Sequence, residues 1–179
     1  MVKLNRAFFL DRDGVILKPI INNGKPVAPR SLNKIKIIKN VKKSLQILKK
    51  NKFINIIITN QPDVRDGLIA KLTIKKMHQV IKKKLKIDDI YTCFHNDEDN
   101  CKCRKPKRGL IFKAKKKWNI DLKKSYIIGD RWRDIELANK LKMKCFYIDY
   151  NYNEKKPKKY NYKVKSLLTA VRKLKTNEK

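Results

Sequence analysis

The sequence has no unbroken apolar run near the roughly 20 residues that a bilayer-crossing helix needs. Its N-terminus lacks the shape of a secretory leader, because the short apolar patch Ala7-Phe8-Phe9-Leu10 gives way at once to Asp11. No segment recurs at a fixed period, which argues against a repeat array. Acidic residues are scarce: 16 Asp and Glu stand against 48 Lys and Arg, a formal net charge of +32. Aromatics are few, at 8%. No patch stands out as an interface. The expectation is a cytoplasmic monomer that does not engage a membrane.

The charge invites a nucleic-acid reading, since clustered Lys and Arg release counterions from a phosphate backbone. Here the lysines are spread along the whole chain, and Ile and Asn are abundant, as AT-rich codons would produce. A compositional origin is therefore favoured. The field would still draw anionic substrates in general.

With 179 residues, 41% of them hydrophobic, the chain can build one α/β domain over 1–179, and two domains would be cramped. Apolar strand-like runs alternate with helical patterns, which predicts a parallel sheet flanked by helices. Strands are expected at 7–10, 53–58, 90–94, 126–128 and 145–148. Val41, Leu45 and Leu48 share one helical face; Ile74, Met77, Val80, Ile81 and Leu85 share another. Residues 109–118 and the stretch through Ile135, Ala138 and Leu141 complete the internal helices. Pro19, Gly24, Pro26 and Pro29 predict a loop or small hairpin over 18–30. Residues 151–163 read as irregular and Val164 to Leu174 as a closing helix, so that 151–175 form a C-terminal irregular segment and helix.

Three strand ends carry unusual polar residues: Asp11-Arg12-Asp13-Gly14, Thr59-Asn60-Gln61, and Gly129-Asp130-Arg131-Trp132-Arg133-Asp134. The carboxyl edge of an open α/β sheet is where ligands bind. Four acids at two such edges repel one another unless a cation sits between them. A second constellation is Cys93-Phe94-His95, followed after five residues by Cys101-Lys102-Cys103. Four soft or borderline ligands suit tetrahedral Zn²⁺, and a complete set implies a closed structural site pinning the 93–103 loop beside Arg104 and Lys105. Cys145 reads as core and His78 as a packing or surface residue.

Asp-x-Asp-Gly at 11–14, Thr59 after the next strand, Lys105 in Cys-Arg-Lys-Pro, and Gly129-Asp130-x-x-x-Asp134 occur in an order that resembles the haloacid dehalogenase superfamily. The match spans essentially the whole chain. The resemblance implies a single Rossmann-like domain without a large cap. It implies Asp11 as nucleophile, Asp13 as general acid/base, and Thr59 and Lys105 as stabilisers of the phosphoryl oxygens. Mg²⁺ would be held by Asp11, the Asp13 backbone carbonyl and Asp130, with Asp134 in support. The zinc-loop stretch and Thr59-Asn60-Gln61 are similar to the histidinol-phosphatase and heptose-bisphosphatase branch, whose heptose members remove the 7-phosphate from D-glycero-D-manno-heptose 1,7-bisphosphate on the way to lipopolysaccharide or S-layer sugars. Asn60 and Arg104 would then contact substrate, Arg104 through a fork suited to a second phosphate. Arg12 should point away from the nucleophile if the strand pleat persists. One departure stands out: that branch follows Thr-Asn-Gln with a small residue and Gly, then a basic residue and Gly, whereas this chain has Pro62-Asp63-Val64-Arg65-Asp66-Gly67.

The partner expected is thus a phosphorylated small molecule. Histidinol phosphate is the nearest competitor to the heptose. A polynucleotide 3′-phosphatase would use the charge, with Tyr150, Tyr152, Tyr160 and Tyr162 among lysines as a stacking platform. A zinc-bearing, non-catalytic nucleic-acid module is the reading from outside the enzymes.

Overall fold

The computed structural model describes residues 4–177. Eight strands and five helices follow in the order β1 (Arg6–Leu10), β2 (Ile20–Asn22), β3 (Lys25–Val27), α1 (Val41–Lys50), β4 (Phe53–Asn60), α2 (Lys71–Lys84), β5 (Asp89–Cys93), α3 (Gly109–Trp118), β6 (Tyr126–Gly129), α4 (Trp132–Lys140), β7 (Lys144–Ile148), β8 (Tyr162–Val164) and α5 (Leu167–Asn177). Six strands form one sheet in the order β5-β4-β1-β6-β7-β8. Every pairing in it is parallel.

Strand β1 shows why the sheet must be covered on both sides. Its side chains alternate faces, yet Ala7, Phe8, Phe9 and Leu10 are all fully buried. Phe8 and Leu10 join Val41, Leu45 and Leu48 of α1 and Leu167, Ala170 and Val171 of α5 on one face. Ala7 and Phe9 join Leu110, Ile111 and Ala114 of α3 and Ile135 and Ala138 of α4 on the other. Each Leu, Ile, Val and Phe among them contributes about 1.5–3 kcal/mol on burial.

The chain leaves β1 toward β4 and β5, then crosses back to β6 on the other side of β1 and continues outward. The connections therefore reverse direction between β1 and β6, and a crevice opens there at the carboxyl ends of the strands. Asp11 and Asp130 stand directly on its two lips. Between β1 and α1 the chain inserts the β2–β3 hairpin, whose Asn23-Gly24 turn takes φ of 48° and 73°, and a short 3-10 turn at Leu32–Lys34.

One expectation is corrected. Val164 does not begin the closing helix: Tyr162–Val164 is a sixth sheet strand, parallel to β7 with Phe146 opposite Tyr162. The Tyr162 ring stacks on Phe146 at 4.9 Å and Val164 is buried. The helix starts three residues later, after Ser166, whose hydroxyl accepts from the Thr169 amide at 3.2 Å. Among the described residues no helix is long and apolar enough to cross a membrane.

Candidate active site

Three carboxylates and one ammonium converge at the crevice. The Asp11 amide still bonds Ile128 O at 3.0 Å, so the residue leaves β1 in sheet register. The Lys105 ammonium lies 2.9 Å from Asp11 Oδ1 and 2.6 Å from Asp134 Oδ1, and donates to Ile58 O at 3.0 Å. Carboxylate oxygens of Asp11, Asp130 and Asp134 lie within 4.8 Å of one another. All four side chains are nearly sealed from bulk water, at 7, 2, 1 and 2% exposure for Asp11, Asp130, Asp134 and Lys105.

This leaves excess negative charge in a poorly solvated place. Burial and the neighbouring Asp134 charge push Asp11 up to about 7, against the partial relief given by Lys105. Burial and the Asp11 and Asp134 charges raise Asp130 well above the usual carboxylate range. Burial works against the charged form of Lys105, but Asp11 and Asp134 outweigh it and hold the ammonium charged. Asp130 Oδ1 and Asp134 Oδ2 are buried with no hydrogen-bond partner among the described residues. Orphaned, crowded oxygens of this kind fit a hard divalent cation such as Mg²⁺. The backbone is shaped to match: a Cβ on Gly14, at φ +83°, would fall 1.9 Å from Asp130 Oδ2.

Asp13 is held apart from this set. Arg12 and Gln61 grip its carboxylate, with Nη2 of Arg12 at 2.8 Å and Nε2 of Gln61 at 2.9 Å. Gln61 Nε2 also donates to Thr59 Oγ1 at 2.8 Å, and Gln61 Oε1 accepts from Arg12 Nη2 at 2.8 Å. Arg12 does point away from the nucleophile position, but it is fully buried and organises the acid beside it. His78 packs 3.4 Å from Arg12, and burial together with that cation lowers its pKa to about 4, so it is neutral. Arg12 and Gln61 were missed as site residues. The signal was there for Gln61, since residues 59 and 61 share a side of an extended strand end.

The cavity over the acids has a volume of 140 Å³ and is lined by Asp11, Asp13, Lys105, Asp130 and Asp134 below, with Pro26, Val27, Asp63 and Arg131 around it. Two expected substrate residues sit differently. Asn60 reaches the cavity wall, yet its amide oxygen accepts from the Lys105 backbone N–H at 3.0 Å and its amide nitrogen donates to Lys105 O at 3.2 Å. It fixes the main chain of the lysine. Arg104 bonds Asp97 at 2.9 Å and His95 O at 3.1 Å, and Arg133 bonds the same Asp97 at 2.9 Å. Arg104 lines an adjoining recess rather than the acid-floored cavity.

Cys93, at the end of β5 and opposite Asn60 in register, meets His95, Cys101 and Cys103. The recorded separations among these ligand atoms run from 3.2 to 3.7 Å. A tetrahedral ion with Zn–S of about 2.3 Å and Zn–N of about 2.0 Å needs edges of about 3.5–3.8 Å. All four cysteines are free thiols, and Cys145 is buried in β7 away from the set. The Arg104 amide donates to Cys101 Sγ at 3.3 Å, which ties the thiol cluster to the residue preceding Lys105.

The tyrosines expected to offer a stacking platform are used inside the protein. Tyr152 is buried with its hydroxyl 2.6 Å from Asp130 Oδ2, Tyr150 donates to Gly14 O at 3.0 Å, and Tyr162 lies on Phe146. Tyr160 is the one exposed ring of the four, and it packs against Tyr147 at 5.5 Å.

The chain is similar to several known proteins. A family model described as HAD-hydrolase-like matches residues 102–174. The chain is 36% identical over 162 residues to the histidine biosynthesis bifunctional protein HisB of Blochmanniella floridana, covering 87% of this chain and 44% of that protein. It is 32% identical over 153 residues to the D-glycero-beta-D-manno-heptose-1,7-bisphosphate 7-phosphatase of Helicobacter pylori strain J99, covering 80% of this chain and 83% of that one. The chain thus spans less than half the length of the bifunctional relatives and most of the length of the heptose relatives. A crystal structure of D,D-heptose 1.7-bisphosphate phosphatase from B. bronchiseptica, complexed with magnesium and phosphate, shares the fold with a TM-score of 0.82 at 21% identity, covering 96% of this chain and 99% of that one.

Proposed function

Because this chain belongs to the haloacid dehalogenase (HAD) superfamily, in the branch of the heptose-bisphosphate phosphatases and bifunctional histidine-biosynthesis proteins, we propose that it is a magnesium-dependent phosphomonoester hydrolase with Asp11 as nucleophile. The observation that carries the reading is the meeting of Asp11, Asp130, Asp134 and Lys105 at the reversal of the sheet, with Asp13 held outside the group.

Asp11 Oδ attacks phosphorus, and the bond to the leaving oxygen breaks as an aspartyl-phosphate forms. Asp13, aimed by Arg12 and Gln61, gives a proton to the leaving alkoxide and then takes one from the water that releases phosphate. Lys105 and the Thr59 hydroxyl stabilise charge on the transferring oxygens. Asp11, Asp130 and the Asp13 main-chain carbonyl would hold Mg²⁺, supported by Asp134. The ion would neutralise the acid cluster and the phosphoryl oxygens. Cys93, His95, Cys101 and Cys103 would hold Zn²⁺, which would fix the chain leading into Arg104 and Lys105.

Residues 1–179 act as one catalytic domain on a phosphorylated small molecule. Reduced thiols in a zinc site suit the cytoplasm. The substrate best supported is D-glycero-D-manno-heptose 1,7-bisphosphate, cleaved at the 7-phosphate, because the relatives of comparable length carry that name. Histidinol phosphate is the second reading, favoured by the 36% match to the bifunctional protein. The polynucleotide 3′-phosphatase keeps the positive charge but has three of its four candidate stacking tyrosines engaged within the protein, and the intact set Asp11, Asp13, Thr59, Lys105, Asp130 and Asp134 argues against a non-catalytic module.

Phosphate release with and without Mg²⁺ over sugar bisphosphates, histidinol phosphate and 3′-phosphorylated oligonucleotides tests the proposal. Turnover should be Mg²⁺-dependent and fastest on the heptose bisphosphate. No turnover of any phosphomonoester by the metal-replete protein would overturn it.

A further inference from the structure

Resting on the functional reading above, we propose that Tyr152 is a positioning residue for the cation site, its hydroxyl fixing the Asp130 carboxylate so that a single oxygen faces the metal. Asp130 presents two chemically equal oxygens at the end of β6. Oδ2 accepts from the Tyr152 hydroxyl at 2.6 Å, while Oδ1 is buried with no partner among the described residues. The Gly14 backbone also closes on the carboxylate, so that a Cβ there would fall 1.9 Å from Oδ2 and 2.2 Å from Cγ. The group is thus gripped between a main chain and a phenol, with one oxygen left for a ligand. Mg²⁺ demands near-ideal octahedral geometry at about 2.0–2.1 Å. A carboxylate free to rotate could swing to a bidentate pose or turn its lone pairs aside. A donor on the non-ligating oxygen prevents both.

Tyr152 lies on a strap between β7 and β8 that has no regular structure, so other bonds must hold it in place. Tyr150 donates to Gly14 O at 3.0 Å and stacks on Tyr152 with ring centroids 5.6 Å apart. Glu154 pairs with Arg131, the residue after Asp130. The Asn153 amide donates to Gly24 O at 2.7 Å, at the tip of the β2–β3 hairpin. The strap is therefore fastened to the turn after the nucleophile, to the segment carrying Asp130, and to the hairpin flanking the cavity. These three anchors hold the segment that carries the Tyr152 hydroxyl.

The test is calorimetric titration of Mg²⁺ into the zinc-replete full chain without substrate, for wild type, Tyr152→Phe and Tyr150→Phe. Tyr152→Phe should weaken Mg²⁺ binding about 10- to 100-fold, the range for loss of a partner behind a metal ligand. The half-saturating Mg²⁺ concentration for turnover should rise by the same factor, with kcat at saturating Mg²⁺ near that of wild type. Tyr150→Phe loosens the strap but keeps the phenol on Asp130, so it should weaken binding by less than about 3-fold. Equal Mg²⁺ affinity in wild type and Tyr152→Phe overturns this inference alone. So does an equal loss in both variants, which would make the strap's packing the cause. A wild type that binds no Mg²⁺ overturns the functional reading and this inference with it.

Discussion

Asp11→Asn should make the cation-free protein more stable while destroying its activity. In the absence of Mg²⁺ the substitution removes one of three crowded carboxylates served by a single lysine. The rise of the Asp11 pKa from 3.8 to about 7 means that ionising this group costs the fold roughly 4 kcal/mol at alkaline pH. That figure is already net of the relief given by the charged contact with Lys105 at 2.9 Å. The gain at alkaline pH is thus about 4 kcal/mol, or about 8–16 °C in Tm for a chain of this size. The sign follows from the linkage. A carboxyl whose pKa is raised on folding destabilises above that pKa and is harmless below its unfolded value. Wild-type stability without Mg²⁺ should therefore fall as pH rises from about 4 to about 7, whereas the variant should lose the Asp11 share of that fall and keep only the share owed to Asp130. Scanning calorimetry of both proteins at pH 5 and pH 8, with Mg²⁺ removed and zinc retained, measures the difference. Phosphate release by the variant should drop by at least about 10³-fold. A variant less stable than wild type at pH 8, or one that still turns over, would refute the reasoning.

The same buried acids make protons and Mg²⁺ competitors, so the half-saturating Mg²⁺ concentration should rise as pH falls below about 7 in a metal titration at several pH values. Gln61→Leu removes one of the two grips on Asp13 and leaves the metal set alone. Steady-state kinetics should show kcat reduced about 10- to 100-fold, from misaligned proton transfer, with Mg²⁺ dependence unchanged. Cys101→Ser should release zinc, read by elemental analysis, and lower Tm. It should also depress kcat, because the amide of Arg104, next to Lys105, is bonded to that sulfur.

The parts of this molecule that sequence reveals are those where a local pattern has a single physical solution. Apolar runs ending in Asp11, Thr59 and Asp130 mark strand ends at the same edge, and the structure places all three there. The thiols and imidazole are close enough in sequence that a short loop brings them together. Tertiary position decides the rest. Tyr162–Val164 is only three residues long, and its identity as a strand depends on Phe146 lying beside it. The sequence says of Arg12 only that it should point away from the nucleophile; Gln61, 49 positions away, supplies its partner. Tyr152 looked like one aromatic among many lysines, and only the folded strap aims it at Asp130. Asn60 and Arg104 were placed near the substrate by their neighbours in sequence, but their hydrogen bonds go to the Lys105 main chain and to Asp97.

The central claim is that a carboxylate of this chain becomes covalently phosphorylated during turnover. Acid quenching of the working enzyme, reduction with borohydride and peptide mass spectrometry test it, since an aspartyl-phosphate is converted to homoserine. The account predicts homoserine at position 11 and nowhere else, formed only when both phosphorylated substrate and Mg²⁺ are present. Homoserine at another aspartate, or steady turnover with Asp11 unmodified at every quench time, would contradict it.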